Sequence, residues 1–202
     1  MKLIPAETTI LLLAAGQSSR MGTADKLLQT IRDQPLLGRV ARMCLDAGVA
    51  KVAAVLRPGD DRRRAVLPAG VEIVENPEFA EGMASSIRAG LKAVARDTRA
   101  VVVVLADMPD VSASDIRALV AAFDPDQGKT ICRAMTVDGA PGNPVLFGRE
   151  HFADLAALRG DKGANAFLKA NPGATRLVPT HGENARTDLD TPLDWADYLK
   201  RS

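Results

Sequence analysis

Residues 100–105 read AVVVVL, apolar at every position. A strand with one wet face alternates apolar and polar side chains. A strand that is apolar throughout must be covered on both faces, which is the situation of a parallel strand with helices above and below its sheet. Residues 8–15 (TTILLLAA) have the same character, and residues 51–56 (KVAAVL) and 71–74 (VEIV) read as shorter strands. Between these runs the period changes. Leu37, Val40, Ala41 and Cys44 share one face of a helix over 37–47, and Met83, Ile87, Leu91 and Val94 do the same over 83–95. A helix over 112–123 opens with Ser112 and Asp115 in capping-box spacing. Residues 130–135, 144–147 and 174–178 read as extended, and 149–158 and 163–171 as helical. The last helix opens on Thr191, Pro192 and Asp194, respectively a good N-cap, a pre-set first position and a complement to the helix dipole. This alternation predicts an α/β fold with a doubly wound, mostly parallel sheet, in a single domain over residues 1–202. The shorter, less regular elements from about 130 to 178 mark where a small inserted lobe for a second substrate would sit.

The chain carries 26 Lys and Arg against 25 Asp and Glu, a net charge of +1. No global field draws it to nucleic acid or to a membrane, so any anion site must be local. Cys44 and Cys132 lie among apolar neighbours, outside any CxxC or Cys/His cluster, and read as buried free thiols. The apolar N-terminal run is broken by Pro5 and Glu7 and passes directly into Gly16-Gln17-Ser18-Ser19-Arg20, so it reads as a first strand and not a targeting segment. With no apolar stretch of membrane-spanning length, a cytoplasmic protein is expected.

In a doubly wound sheet, ligands gather beyond the carboxyl ends of the strands. The first such loop holds Gly16, Arg20, Gly22 and Lys26. It matches neither the P-loop nor GxGxxG. Its glycines nonetheless allow backbone N–H groups near an anion, with a guanidinium and an ammonium to neutralise charge. A solvated turn with two incidental cations explains this loop equally well. Asp107 follows the strand 100–105, where a carboxylate suits a divalent metal or a turn before Pro109. Asp188 and Asp190 lie two apart in DLDTP, on one side of an extended segment, or serve the dipole of the last helix. Gly82, Ser85 and Ser86 sit at a helix N-terminus, suited to a base or phosphate or to ordinary capping. The charge run 57–66 (RPGDDRRRAV) reads as a solvated loop and helix start, and His151 and His181 as surface or structural residues.

Six blocks in order then carry a resemblance spanning nearly the whole chain: LAAGQSSRMGTADKLL (13–28), NPEFAEGMASSIRAGL (76–91), VVVLADMPDV (102–111), GNPVLF (142–147), LRGDKGA (158–164) and DLDTPLDW (188–195). Together they resemble the nucleotidyltransferases that activate the molybdenum cofactor (the MobA-like NTP transferase family), and within it the cytidylyltransferases. The resemblance implies a Rossmann-like nucleotidyltransferase fold. It implies that Leu13, Ala14, Ala15 and Gly16 line the base through the main chain, that Arg20 and Lys26 contact the triphosphate, and that Asp107 and Asp190 bind Mg²⁺. Gly82, Ser85 and Ser86 would close over base or ribose, and Gly142, Asn143, Pro144 and Asp161 would face the acceptor. The catalytic group is then Arg20, Lys26 and Asp107. Within the family an LAAG loop accompanies cytidine and an LAGG loop guanosine, so Ala15 points to CTP. The implied partners are CTP, molybdopterin or its molybdenum form, and a molybdenum hydroxylase or its chaperone as recipient. Asn165 departs from the arginine expected after GDxGA, and Leu193 from the acidic residue expected after DxDTP. Two alternatives stay open: a relative using GTP or another acceptor, and a non-catalytic chaperone delivering cofactor to a molybdenum hydroxylase.

Overall fold

A computed structural model describes residues 3–22, 24–160 and 163–201. The strands are β1 (Thr8–Leu13), β2 (Thr30–Ile31), β3 (Gln34–Pro35), β4 (Lys51–Leu56), β5 (Val71–Glu75), β6 (Ala100–Leu105), β7 (Ile131–Met135), β8 (Pro141–Gly148) and β9 (Thr175–Pro179). Seven of them form one sheet in the order β5-β4-β1-β6-β8-β7-β9, and β2 and β3 pair in a separate small hairpin. β1 is parallel to β4 and β6, β4 is parallel to β5, and β7 is parallel to β9. Only β8 runs against its neighbours in the sheet, β6 and β7. The mostly parallel sheet expected from the apolar runs is therefore present. The segment 130–178, expected to hold an inserted lobe, contributes β7, β8 and β9 to this same sheet.

The helices are α1 (Leu36–Asp46), α2 (Asp61–Ala65), α3 (Met83–Lys92), α4 (Ala113–Ala122), α5 (Phe152–Ala157), α6 (Gly163–Ala170) and α7 (Pro192–Arg201). Alternation along the central strands sends neighbouring side chains to two separate cores. Ile10, Leu12, Val102 and Val104 join residues of α1, α4 and α7 on one face. Leu11, Val101 and Val103 join Ile87 of α3, Leu155 of α5 and Leu168 of α6 on the other. Every residue from Ala100 to Val104 is buried, which is why this stretch tolerates no polar side chain. Burying each such aliphatic side chain contributes about 1.5–3 kcal/mol. Both cysteines are buried and free, and burial pushes the Cys132 thiol up to about 12.

Two strand ends differ from the sequence expectation by more than one residue. β1 stops at Leu13, two residues before the expected end; the Ala14 N–H still donates to the Val55 carbonyl at 2.9 Å as a last rung to β4, and Ala15 passes into the loop. β8 begins at Pro141, three residues before the expected start, and includes the cis Asn143–Pro144 bond. There the backbone of the C-terminal segment presses on the sheet. The Asn143 N–H donates to the Ala185 carbonyl at 2.8 Å. A Cβ on Gly142 would stand 1.9 Å from that same carbonyl oxygen. Only glycine allows the two backbones this close. Gly142→Ala is expected to destabilise the protein by about 1–3 kcal/mol, as overpacking does. A denaturant-unfolding midpoint equal to that of the wild type would contradict the contact.

Candidate active site at the carboxyl edge of the sheet

The chain leaves β1 for β4 on one side and later returns to β6 on the other. This is a switch point, where the loops after two adjacent parallel strands diverge and leave a crevice. A cavity of about 320 Å³ lies there. Leu13 and Leu105 form its floor, and Ala15, Gly16 and Gln17 of the first loop form one wall. Phe79, Gly82, Met83 and Ser86, at and before the start of α3, form another, and Lys26 and Asp107 lie at its polar end. Gly82 has φ +109°, a conformation that favours glycine, and this turns the chain abruptly into α3.

Lys26 anchors the polar end. Its Nζ donates to Asp107 Oδ2 and to Asp190 Oδ1, each at 2.5 Å. Arg20, exposed on the rim, donates through Nη1 to Asp190 Oδ2 at 2.5 Å. Burial opposes the charge on Lys26, but the Asp107 and Asp190 carboxylates outweigh it and raise the pKa of the ammonium. Asp188 is an exposed residue, yet partial desolvation of its carboxyl, with the Asp107 and Asp190 charges, raises its pKa. Three carboxylates from two distant segments thus share one neighbourhood. The segments are tied together by the Leu189 N–H, which donates to the Asp107 carbonyl at 3.0 Å. Asp194, in the first turn of α7, accepts from the backbone N–H groups of Asp190 and Thr191 and so fixes the approach of Asp190.

Asp107 Oδ1 is buried and has no hydrogen-bond partner among the described residues. A buried carboxylate oxygen left unpaired is costly unless something binds it. Hard divalent cations take such oxygens, and Mg²⁺ commonly uses one or two carboxylates together with substrate phosphates. The donor chemistry of Asp107 and Asp190 fits that pattern. Among the described residues, no group of three or more His, Cys, Asp or Glu could hold a metal.

Behind the loop lies a support that the sequence reading missed. Arg63, inside the charge run read as solvated, is completely buried. Its Nε and Nη2 donate to the two oxygens of Asp25 at 2.9 Å each, and Nη1 donates to the Ala14 carbonyl at 2.6 Å. Asp25 in turn accepts from the Leu27 N–H, which starts the short turn carrying Lys26. Burial opposes the charge on Asp25, but hydrogen bonds and attraction from Arg63, then the Leu27 N–H and Arg57, leave its pKa lowered. The spacing of Asp60 and Arg63, an N-cap and the third residue after it, was visible; the identity of the one buried arginine among Arg62, Arg63 and Arg64 was not.

The remaining expected site residues divide clearly. Leu13, Ala15, Gly16, Lys26, Gly82, Ser86 and Asp107 line the cavity. Ala14 is buried and is held through its backbone. Ser85 is buried too: its hydroxyl donates to the Gly82 carbonyl and accepts from Asn76 Nδ2, both at 2.8 Å. Asn76 also reaches Ser86 Oγ at 3.1 Å, so a buried asparagine fastens the turn before α3. Gly142, Asn143 and Pro144 sit at the start of β8 and do not line the cavity. Asp161 lies outside the described residues. His151 is structural, bonded to Thr130 Oγ1 at 2.8 Å and edge-on to Phe167, while His181 is exposed. No helix among the described residues is long and apolar enough to cross a membrane.

Residues 10–176 match the model of the MobA-like NTP transferase domain. The chain is 30% identical to the nicotine blue oxidoreductase of Paenarthrobacter nicotinovorans, over 93% of this chain and 94% of that one. It is also similar to the crystal structure of Rv0371c from Mycobacterium tuberculosis H37Rv, at 28% identity and a TM-score of 0.84, over 98% of this chain and all of that one (100%). The manganese complex of Rv0371c matches at 27% identity and a TM-score of 0.78, over 96% and 97% of the two chains.

Removing the guanidinium tests the support under the loop. Arg63→Met leaves Asp25 partly buried without its main partner, and is expected to cost about 3–5 kcal/mol at neutral pH. Because Asp25 has a lowered folded-state pKa, its contribution is present above its unfolded value and is lost as pH falls through the folded one. The stability gap between wild type and Arg63→Met should therefore narrow below about pH 4. A gap that is constant from pH 7 to pH 2.5, roughly the span over which carboxylates titrate, would contradict the ion pair.

Proposed function

The chain belongs to the MobA-like NTP transferase family and is a nucleotidyltransferase, and on that premise we propose that it transfers CMP from CTP to the terminal phosphate of molybdopterin, or of the molybdenum cofactor, in a single domain. The observation that carries this reading is the unpartnered Asp107 Oδ1 beside the Lys26 ammonium, at the polar end of a cavity walled by Ala15 and Gly16. A nucleoside would occupy the apolar part, against the main chain of residues 13–16 and the turn at Gly82 and Ser86. Its triphosphate would extend to Arg20 and Lys26.

An oxygen of the acceptor phosphate attacks the α-phosphorus of CTP, a new P–O–P link forms, and the bond to pyrophosphate breaks. A phosphate is already ionised at neutral pH, so its oxygen needs no general base. Lys26 and Arg20 neutralise charge on the triphosphate and on the leaving pyrophosphate, and the first loop aligns the α-phosphorus for attack. Asp107 and Asp190 would hold a divalent cation, which supplies Lewis-acid neutralisation of phosphate charge when bound. The manganese bound by Rv0371c supports that assignment. The choice of CTP rests on Ala15, which lines the cavity, together with the resemblance, which couples an LAAG loop to cytidine and an LAGG loop to guanosine.

The name of the 30% identical relative favours a second reading, redox chemistry at this cavity. Pyrophosphate release, measured with each of four nucleoside triphosphates, Mg²⁺ and molybdopterin, separates the two. Release with CTP well above the others is expected. Consumption of reduced nicotinamide with no pyrophosphate would favour the redox reading, and release with GTP would correct the nucleotide. CTP binding without release would point to the delivery chaperone. Asp107→Asn should lower kcat/KM about 10²–10³-fold, and Lys26→Ala at least about tenfold. Wild-type rates in either variant would remove that residue from the reaction. Ala15→Gly should reduce the preference for CTP over GTP, and an unchanged ratio would place specificity elsewhere.

A further inference from the structure

Among the described residues, Arg133 lacks the carboxylate partner that several other arginines of this protein have. Arg57 pairs with Asp60, Arg63 with Asp25, Arg64 with Glu75, Arg88 with Glu78 and Glu81, and Arg99 with Glu7. Arg133 is half-buried on β7, and its Nε donates to the Gly142 carbonyl at 2.9 Å. Among the described residues no carboxylate stands within ion-pair distance of it. Its charged neighbour is another arginine, Arg186, which follows the Ala185 that presses on Gly142. Burial first, and then the like charge of Arg186, hold the Arg133 guanidinium below its ordinary value. Asp138 carries a negative charge near Arg186, and its carboxylate also accepts from Thr136 Oγ1 and from the Ala140 N–H. A partly desolvated guanidinium such as Arg133, beside a second cation and with no carboxylate in ion-pair distance, is stabilised when an anion joins it.

Register places Arg133 on the face of the sheet that carries the cavity floor. Arg133 is paired with Val145, and Val145 with Val103. Directly paired residues share a face, so Arg133 lies on the same face of the sheet as Val103 and Leu105. Leu105 is part of the cavity floor. From Val103 that face continues across β8 at Val145 to Arg133 on β7.

We propose that Arg133 and Arg186, on either side of the Gly142–Ala185 contact, form an anion subsite that holds the phosphate of the acceptor. Arginine suits the task because its planar fork grips two oxygens of one phosphate, which leaves a third free to attack. The identity of the anion rests on the transferase reading; the existence of the subsite does not.

Two measurements separate these. The first is an NMR titration with inorganic phosphate of the wild type and of Arg133→Lys, Arg186→Ala and Arg20→Ala. Arg186 is an exposed residue, so its replacement leaves the fold intact. Phosphate should bind at least tenfold more weakly to Arg133→Lys and to Arg186→Ala, while Arg20→Ala retains it. Loss confined to Arg20→Ala, or no loss in either variant of the pair, would overturn the subsite. The second is steady-state pyrophosphate release. The acceptor KM should rise at least tenfold in both variants of the pair, with the KM for CTP unchanged. Transfer with an unchanged acceptor KM would overturn the subsite and leave the transferase reading standing. Phosphate binding that depends on the pair, in a protein that releases no pyrophosphate from any nucleotide, would support the subsite and remove that reading.

Discussion

One ammonium group, Lys26 Nζ, stands between Asp107 and Asp190 at 2.5 Å from each, and the carboxyl edge of the sheet is arranged around it. The two carboxylates arrive from the end of β6 and from the segment before α7, and a third, Asp188, lies close enough for all three to repel. Without a cation among them these carboxylates would only repel one another. Lys26, with Arg20 on the rim, lets them converge, and the Leu189–Asp107 backbone bond fixes the distance. On the proposed reading, triphosphate oxygens would compete with the carboxylates for the two basic groups, and carboxylates released in this way would be free to hold a divalent cation.

The position of Lys26 depends on groups further back. Asp25 is bound to the buried Arg63, and Arg63 also holds the Ala14 carbonyl, so one guanidinium fixes both ends of the first loop. On the opposite wall Asn76 fastens Ser85 and Ser86, and Gly82 makes the turn that brings Met83 and Ser86 to the cavity. The groups that touch a ligand are thus few, and each is held by a buried polar partner. Satisfied networks of this kind hold a site in one geometry.

The fold was legible because its strands are buried on both faces. Residues 100–105 are short, β-branched and apolar throughout, which reads as a covered strand, and β6 has the expected bounds. The candidate site was legible where chemistry and chain position agree: Gly16 and Asp107 come just after β1 and β6, Lys26 closes the first loop, and all three line the cavity. Other features were hidden for physical reasons. Local period cannot show that Arg63 points inward, since charge alone reads as solvated, and only the tertiary position of Asp25 makes burial tolerable. Ser85 read as a ligand group because a helix N-terminus is chemically suited to anions, yet Asn76 had already taken its hydroxyl. The antiparallel insertion of β8 between β6 and β7 depends on long-range pairing, which composition does not encode.

The claim on which the rest depends is that Lys26 and Asp107 serve a nucleoside triphosphate at the β1–β6 crevice. A crystal structure with CTP and Mn²⁺ tests it most directly. The nucleotide base should lie against residues 13–16, with Lys26 Nζ moved from Asp107 to a phosphate oxygen and the metal bound to Asp107. A nucleotide bound elsewhere, or Lys26 still paired with both carboxylates beneath bound CTP, would contradict it.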